Sequence, residues 1–294
     1  MTPEQQREPL IRSVTDTAMW TAAYRADESE RPDAIVCDPF ARALAGERGA
    51  LIAANAKPSA VRHGVVLRTA MLDKLIGMLT REEGFDTVLN LAAGLDTRPY
   101  RLDVPADLHW IEVDVPEIVE YKRDIMGGVV PVCRLESIAL DLAETPGRQE
   151  LFARVSADGK RVLVVTEGLL GYLEPAEVGR LASDLRRQHN FEAWLTDISS
   201  GSSSRRARHG GDELKAAGQA QVRFAPRESS AFFAPFGWRE AAYYSLFEES
   251  PSLGRDFAIS RVLRGVLRVM PTSARRSFSR AIGIARLEPS AGPR

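Results

Sequence analysis

Three acidic residues of the chain stand where apolar segments end. Asp114, Asp141 and Glu167 each come directly after a segment whose pattern is typical of a strand. Ligands of open parallel sheets bind beyond the carboxyl ends of the strands. A carboxylate can accept hydrogen bonds from two hydroxyl groups at once, and it can also pair with an amine or a cation. The pattern therefore predicts a binding site for a molecule that carries a sugar and amino groups.

A turn of small residues ends another apolar segment, where a ligand could approach the backbone. Residues 87–98 read TVLNLAAGLDTR, so a strand over 87–91 is followed by two alanines, Gly94 and a polar stretch that can open a helix. A dinucleotide site has the pattern G-x-G-x-x-G, because the pyrophosphate lies against bare backbone. Here that frame reads AAGLDT, and Asp96 stands where an anion would lie. The turn favours a nucleoside without phosphates, of which S-adenosylmethionine is the common one; a turn that binds no ligand is the alternative.

Each of these residues also has an ordinary structural role that the sequence leaves open. Asp114 suits the hydroxyls of a ribose, and it could instead cap a helix that begins near Pro116. Asp141 can accept from the exocyclic amine of adenine or serve as a loop residue. Glu167 ends a buried strand, so its charge needs a partner: a methionyl amino group, a nearby arginine or the backbone. Arg68 could pair with a ligand carboxylate, although lone arginines of helices are usually solvated.

Alternating helical and strand patterns must hold these residues in place. The pattern predicts helices over 13–26, 61–80, 116–126, 175–188, 212–220 and 253–270, and a short helix through Leu44 with Asp38 as its N-cap. It predicts strands over 87–91, 110–113, 134–140, 161–166, 191–198, 238–246 and 281–287. A helical cap on the rim of a sheet can shut water out of a site. We expect one α/β domain over residues 1–294, with a helical cap over 1–80 and a doubly wound core over 85–294.

The composition disfavours several classes of protein. The chain has 294 residues, is 44% hydrophobic and carries a net charge of −1 from 39 basic and 40 acidic residues. A nucleic-acid-binding protein would show a basic excess, so a small molecule is the expected partner. Cys37 and Cys133 lack C-x-x-C spacing, which disfavours a disulfide scaffold or a metal site and favours a reducing cytoplasm. Because the chain has no apolar leader segment and no run of about 18 apolar residues, neither export nor a membrane span is expected.

Several short motifs together resemble one enzyme family. They are SVTDTA at 13–18, DPFA at 38–41, LAAGLDTR at 91–98, EVDVP at 112–116, DL at 141–142 and EGLLGYL at 167–173. The chain resembles the leucine carboxyl methyltransferase family, and more closely its bacterial branch of polyketide-type O-methyltransferases, over roughly residues 13 to 200. The resemblance implies a class I methyltransferase (Rossmann-like) fold with a mostly parallel sheet of seven strands, the last antiparallel. It also implies S-adenosylmethionine as the methyl donor.

The resemblance assigns roles to individual residues. Arg68 would hold the methionyl carboxylate, and Gly94, with Ala93 beside it in the turn, would approach the methionine end of the cofactor. Asp114 would take the ribose, and Glu167 would lie near the methionyl amine. The adenine would fall to Asp141 and Leu142.

The N-terminal helix departs from part of the family. Eukaryotic members that methylate a protein phosphatase carry a Lys-Arg pair in this helix, whereas residues 21–25 here read TAAYR. Only Arg25 matches the pair. A protein tail is therefore disfavoured as the substrate, and a small natural product such as a polyketide is expected.

The predicted reaction is an in-line transfer of methyl from the sulfonium to an oxygen. A carboxylate acceptor, with a pKa near ~4, needs no base, whereas a phenol, with a pKa near ~10, would profit from one. No histidine falls convincingly at a strand end: His63 and His109 are expected to be structural, and His189 and His209 exposed. This distribution favours a carboxylate.

Two tyrosines and two groups of arginines are weaker candidates for contact with the acceptor. Tyr24 and Tyr172 could line the acceptor pocket or simply pack. Arginines of a Ser/Gly-rich loop and of a late helix could clamp an acidic substrate or form a solvated surface. They are Arg205, Arg206 and Arg208 in the loop, and Arg261, Arg264 and Arg268 in the helix. Two rival functions stay open at this point, a nicotinamide-dependent oxidoreductase and a nucleoside-binding protein without catalysis.

Overall fold

A seven-stranded sheet forms the centre of the computed structural model, which describes residues 11–56, 59–199, 223–226, 229–255 and 271–290. The strands are β1 (Thr87–Leu91), β2 (His109–Asp114), β3 (Arg134–Ala139), β4 (Val162–Thr166), β5 (Phe191–Ser199), β6 (Trp238–Ser245) and β7 (Ile282–Pro289). Their spatial order is β3-β2-β1-β4-β5-β7-β6, and β7 runs antiparallel to both of its neighbours. The predicted fold, a mostly parallel sheet whose last strand is antiparallel, is confirmed.

Helices connect and cover the strands. The described residues contain α1 (Val14–Ser29), α2 (Ala41–Asn55), α3 (Ser59–Glu82), α4 (Arg98–Arg101), α5 (Pro116–Met126), α6 (Thr145–Asp158), α7 (Pro175–Arg186), α8 (Leu246–Glu249) and α9 (Thr272–Ser279). Two 3₁₀ segments occupy Leu170–Tyr172 and Ser229–Phe236. Ser13 caps α1 by accepting a hydrogen bond from the backbone N–H of Asp16.

Alternate residues of the central strands bury two separate cores. In β1, Leu89 and Leu91 pack with α6 and α7, whereas Val88 faces α3 on the other side. Both faces of the central strands are thus covered, which explains their continuous apolar sequences. Because β2 and β4 lie on opposite sides of β1, the crevice at the carboxyl end of β1 is a topological switch point, where such folds bind ligands.

The N-terminal helices α1 and α2 lie together with the first turns of α3. α1 and α2 form a third core of their own, which reaches α5 and Leu95. α3 contributes to both layers: Val61 and Val65 near its start pack against this third core, whereas Leu72, Ile76 and Leu79 pack along the sheet.

Two helix predictions differ from the structure. The helix after Asp38 begins at Ala41 and continues to Asn55 across a kink at Gly46. Its N-cap is Phe40 rather than Asp38, and Oδ1 of Asp38 accepts from the backbone N–H of Phe40 at 3.2 Å. The other oxygen of Asp38 accepts from Arg25 and Thr97. Residues 145–158, to which the sequence pattern assigned no element, form α6.

Several predictions fall beyond the described residues, and one general property can be reported. The helix over 212–220 lies outside them, as do residues 256–270 of the helix over 253–270 and both arginine groups, Arg205, Arg206, Arg208, Arg261, Arg264 and Arg268. No helix in the described ranges has the length and apolar character needed to cross a bilayer.

Candidate cofactor site

A cavity of about 710 Å³ opens at the carboxyl ends of the central strands, beneath α1. It brings together every residue for which a cofactor role was predicted, although these residues are spread over 100 positions of the chain (68 to 167). They are Arg68, Ala93, Gly94, Asp114, Asp141, Leu142 and Glu167. The two acceptor candidates, Tyr24 and Tyr172, also line this cavity.

The turn after β1 is folded tightly against the end of β2. The backbone N–H of Gly94 donates to Oδ2 of Asp114 at 2.6 Å. Gly94 has a φ of 56°, a conformation that favours glycine, whereas a Cβ there would lie an ordinary 3.7 Å from the Cβ of Ala18. Ala92 adopts a φ of 55° without being a glycine, so the turn carries backbone strain at the site. The helix expected here shortens to α4, which begins only at Arg98.

The carboxylate of Asp114 accepts hydrogen bonds from the turn and does not cap a helix. Its Oδ1 accepts from its neighbour Val115 at 2.8 Å, and α5 has no side-chain cap. Burial raises the pKa of Asp114 against these two amide hydrogen bonds. Because each carboxylate oxygen can accept a second hydrogen bond, the group can still receive two hydroxyls.

Asp141 and Leu142 lie at the outer rim, in the loop that follows β3. Asp141 is exposed and accepts from the backbone N–H of Ala143 at 2.9 Å. The carbonyl oxygen of Leu142 accepts from Arg148, which in turn pairs with the buried Asp184. The loop therefore keeps a fixed shape through a buried ion pair, although its acidic side chain faces solvent.

Glu167 finds its cationic partners within the protein. One oxygen accepts from Nε of Arg68 and the other from Nη1 of Arg98, both at 2.9 Å. Burial acts to raise the pKa of Glu167, but the two guanidinium groups outweigh it and lower the pKa to about 2. Two arginines thus pair with Glu167, and its predicted role near the methionyl amine stays a prediction.

Arg68 is paired and still offers a donor. Its Nη1 donates to Asp197 at 2.9 Å, and no described residue accepts a hydrogen bond from its Nη2. The remaining N–H groups of the guanidinium could therefore hold a ligand carboxylate. Asp197 is a residue that the sequence analysis missed; it also fixes the backbone N–H of Gly168.

Asp96 lines the cavity, but its charge is paired. It accepts from Nη1 of Arg98 at 3.1 Å and from Nδ2 of Asn90 at 2.8 Å. The repulsion expected against a phosphate is therefore reduced by Arg98, which also pairs with Asp73 at 2.6 Å. The sequence showed Arg98 only as the last residue of the LAAGLDTR motif, and it did not predict that Arg98 pairs with three carboxylates.

A buried hydrogen bond joins α1 to the turn after β1. Nη2 of Arg25 donates to the carbonyl oxygen of Leu95 at 2.6 Å, and its Nε donates to Asp38 at 2.9 Å. Asp38 also accepts from the hydroxyl of Thr97 at 2.7 Å. The DPFA motif thus anchors α1 through one oxygen of Asp38, while the other oxygen accepts from Phe40 at the start of α2.

The wall under α1 is aromatic and apolar. Tyr24 is buried against Trp20, with ring centroids 5.4 Å apart, and both line the cavity together with Val61 and Val65. Burial raises the pKa of Tyr24 and of the more exposed Tyr172. Among the described residues, the lining contains no histidine, lysine or cysteine, and no group of side chains suited to hold a metal occurs.

Comparison with known proteins identifies the family. The family model of leucine carboxyl methyltransferase matches residues 18–186, from α1 to α7. The chain belongs to the leucine carboxyl methyltransferase family. This confirms the resemblance drawn from the motifs, and the matched region contains all the residues of the predicted cofactor site.

Relatives of this methyltransferase occur in actinobacteria, and their names state dependence on S-adenosyl-L-methionine. One from Mycobacteroides abscessus is 34% identical, with the alignment spanning 57% of each chain. One from Mycolicibacterium gilvum is 32% identical over 69% of this chain and 76% of its own length. One from Streptomyces coelicolor is 31% identical over 82% of this chain and 88% of its own. The predicted cofactor is confirmed, and a methyltransferase is supported over the nicotinamide-dependent alternative.

Two solved structures have the same fold as this chain. A DUF574 family protein from Streptomyces avermitilis aligns with a TM-score of 0.57 at 13% identity, covering 92% of this chain and 97% of that one. A Thermobifida fusca protein described as a methyltransferase aligns with a TM-score of 0.56 at 13% identity, covering 98% of this chain and 99% of that one.

Proposed function

We propose that this protein transfers a methyl group from S-adenosylmethionine to a carboxylate oxygen of a small molecule. The supporting observation is the absence of histidine, lysine and cysteine from the described cavity lining. The two tyrosines there have raised pKa values, which makes them poor bases at neutral pH. A carboxylic acid is already ionised at neutral pH and needs no base, whereas a phenol or alcohol would have to lose a proton.

The residues of the cavity fit the cofactor. When bound, S-adenosylmethionine supplies an electrophilic methyl group on a sulfonium. Asp114 would accept from the ribose hydroxyls, and Arg68 would donate to the methionyl carboxylate through its remaining N–H groups. Asn90 offers a buried Oδ1 with no donor among the described residues, which suits the methionyl ammonium. Asp141 and Leu142 would contact the adenine at the rim.

The walls of the cavity support an apolar acceptor. α1 covers the site and, with Trp20, Tyr24, Val61 and Val65, presents aromatic and aliphatic surface next to the turn at Gly94. Such walls exclude water and hold the acceptor in line with the donor, which is the main task in a reaction between preactivated partners. An apolar acid of the polyketide type fits these walls, and the net charge of −1 offers no excess of positive charge to a nucleic acid.

The class of acceptor can be tested before its identity is known. The protein would be incubated with ¹³C-methyl S-adenosylmethionine and a panel of apolar carboxylic acids and matched phenols. We expect S-adenosylhomocysteine and methyl esters from acids alone, with the esters releasing methanol in mild alkali. The rate should stay nearly level from about pH 6 to 9, because a carboxylate is fully ionised across that range.

Two other outcomes would point elsewhere. Products from phenols only, at a rate rising about tenfold per pH unit towards ~10, would replace the carboxylate with a hydroxyl acceptor. Tight binding of S-adenosylmethionine with no S-adenosylhomocysteine from any acceptor would favour the nucleoside-binding alternative. The control is Asp114→Ala, which lacks the proposed ribose ligand and should give no methylated product.

A further inference from the structure

Two aromatic side chains of α1 carry polar groups to the wall of the cavity. Trp20 and Tyr24 are four residues apart and therefore lie on one face of the helix. Both line the cavity, and they are 2% and 1% exposed. Their rings pack with the centroids 5.4 Å apart. Each ring thus adds one hydrogen-bond donor to this wall, an indole N–H or a phenol O–H.

Both donors lack an acceptor within the protein. Nε1 of Trp20 is buried, and no described residue accepts a hydrogen bond from it. Burial raises the pKa of Tyr24, whereas the indole of Trp20, which approaches the phenol oxygen, acts to lower it. That approach falls short of hydrogen-bond geometry, and none of the described residues accepts from the hydroxyl itself. A buried donor without an acceptor costs about 1–3 kcal/mol, which a ligand oxygen next to Tyr24 would recover.

The ring of Tyr24 is held in place from a second side. Arg62 of α3 lies over it, with the guanidinium carbon 5.2 Å from the ring centroid. Arg62 is itself paired with Asp27 at 3.0 Å. The hydroxyl therefore has a preset position, so a ligand that accepts from it orders little of the protein on binding.

The arginines of the cavity have other tasks. Those beside the turn after β1 already donate to carboxylates or a carbonyl of the protein; they are Arg25, Arg98 and Arg101. The remaining donors of Arg68 are assigned to the methionyl carboxylate in the proposed function. Arg12 and Arg180 also line the cavity but are exposed, where water competes for their N–H groups. An acceptor enclosed under α1 therefore meets the neutral donors of this helix.

We infer that Tyr24 anchors the acceptor: its hydroxyl donates to the carboxylate oxygen that does not react, and Trp20 positions that hydroxyl by donating to the phenol oxygen. This inference rests on the proposed function. The other carboxylate oxygen forms the O–CH₃ bond with a lone pair, and the electrons of the broken C–S bond stay on sulfur, so no proton moves. The charge of the acceptor is lost as the ester forms. A cationic anchor would stabilise the charged reactant more than the transition state, whereas a neutral hydroxyl does so to a smaller extent.

Steady-state kinetics of Tyr24→Phe in the full chain test the anchor. The acceptors are the apolar acids of the panel described above, with 2-naphthoic acid and dodecanoic acid among them. We expect kcat/KM for each acid that the wild type methylates to fall about 10- to 100-fold, mainly through KM, because a hydrogen bond to a charged group is lost. The affinity for S-adenosylmethionine, measured by calorimetry, should stay the same.

The matched control is Tyr121→Phe, which also removes a hydroxyl from the third core. Tyr121 donates to the carbonyl oxygen of Leu44 at 3.0 Å and does not line the cavity. Its kcat/KM should match that of the wild type.

An acceptor analogue separates anchoring from packing. The acid with the fastest turnover is compared with the hydrocarbon in which a methyl group replaces its carboxylate, for example 2-methylnaphthalene for 2-naphthoic acid. Tyr24→Phe should weaken binding of the acid about tenfold or more and leave binding of the hydrocarbon unchanged. Trp20→Phe should lower the preference for the acid in the wild type but not in the Tyr24→Phe background, because Trp20 acts only through the hydroxyl.

The remaining outcomes separate the inference from the function on which it rests. An unchanged KM in Tyr24→Phe, an equal loss in Tyr121→Phe, or equally weakened binding of the hydrocarbon would overturn the role of Tyr24. A loss of preference that persists when Trp20→Phe is added to Tyr24→Phe would overturn the role of Trp20. If the wild type formed no methyl ester from any acid, the proposed function would fail instead.

Discussion

At the scale of single residues, Asp114 and Asp141 separate two kinds of acidic side chain at strand ends. Asp114 is half-buried and accepts a hydrogen bond from the backbone of Gly94, whereas Asp141 is exposed. We expect Asp114→Ala to weaken binding of S-adenosylmethionine by about 100-fold or more, because two hydrogen bonds to a charged acceptor are lost. Asp141→Ala should cost less than about tenfold, since solvent competes for its oxygens. Calorimetry compares the two; unchanged affinity in Asp114→Ala would refute the ribose assignment.

The same scale shows what the sequence could reveal about the site. The carboxylates at strand ends and the turn at Gly94 were predictable, because a parallel sheet brings successive strand ends to one edge. The partners of those carboxylates were not. Arg68 lies 99 positions from Glu167 and 129 from Asp197, and no local pattern links residues that meet only after the sheet has formed. Asp197 and Arg98 therefore emerged only from the three-dimensional arrangement.

At the scale of elements, Arg25 anchors α1 to the turn after β1. Arg25 is buried and joins α1 to both Leu95 and Asp38, whereas Arg48 joins α2 to Asp16 at a more exposed position. Arg25→Lys should lower the free energy of unfolding by about 2 kcal/mol, because a lysine cannot reproduce the two-directional donor geometry in a buried site. Arg48→Lys should cost under about 1 kcal/mol. Denaturant unfolding compares them, and equal losses would contradict an anchoring role for Arg25.

Elements were predictable where their apolar pattern was strong. The strands and α5 were foreseen because their buried faces are continuous or periodic. α6 was missed because buried polar residues, Arg148 and Ser156, interrupt its apolar face. The true length of α2 was hidden by Gly46, whose positive φ marks a kink rather than an end. The sequence of α3 has the pattern of an ordinary amphipathic helix, and only the tertiary contacts show that its first turns pack on α1 and α2 and the rest on the sheet.

At the scale of the whole molecule, Glu167 after β4 pairs with Arg68 of α3 and Arg98 of α4, so its protonation should affect global stability. The pKa of Glu167 falls from an ordinary value of 4.5 to about 2, since Arg98 and Arg68 outweigh the effect of burial. A lowered pKa contributes stability that is complete above the unfolded value and is lost as the pH falls through the folded value. We therefore expect a loss on the order of 3 kcal/mol between about pH 4.5 and 2.

Glu167→Gln should remove this part of the acid dependence while lowering stability at neutral pH, because it leaves two arginines with one carboxylate fewer. Glu192→Gln is the matched control: its pair with Arg161 is about 40% exposed, and such pairs contribute under about 1 kcal/mol. Urea unfolding at a series of pH values measures both slopes. If the wild type and Glu167→Gln lost stability in parallel on acidification, the ion pairs of Glu167 would not account for the acid dependence.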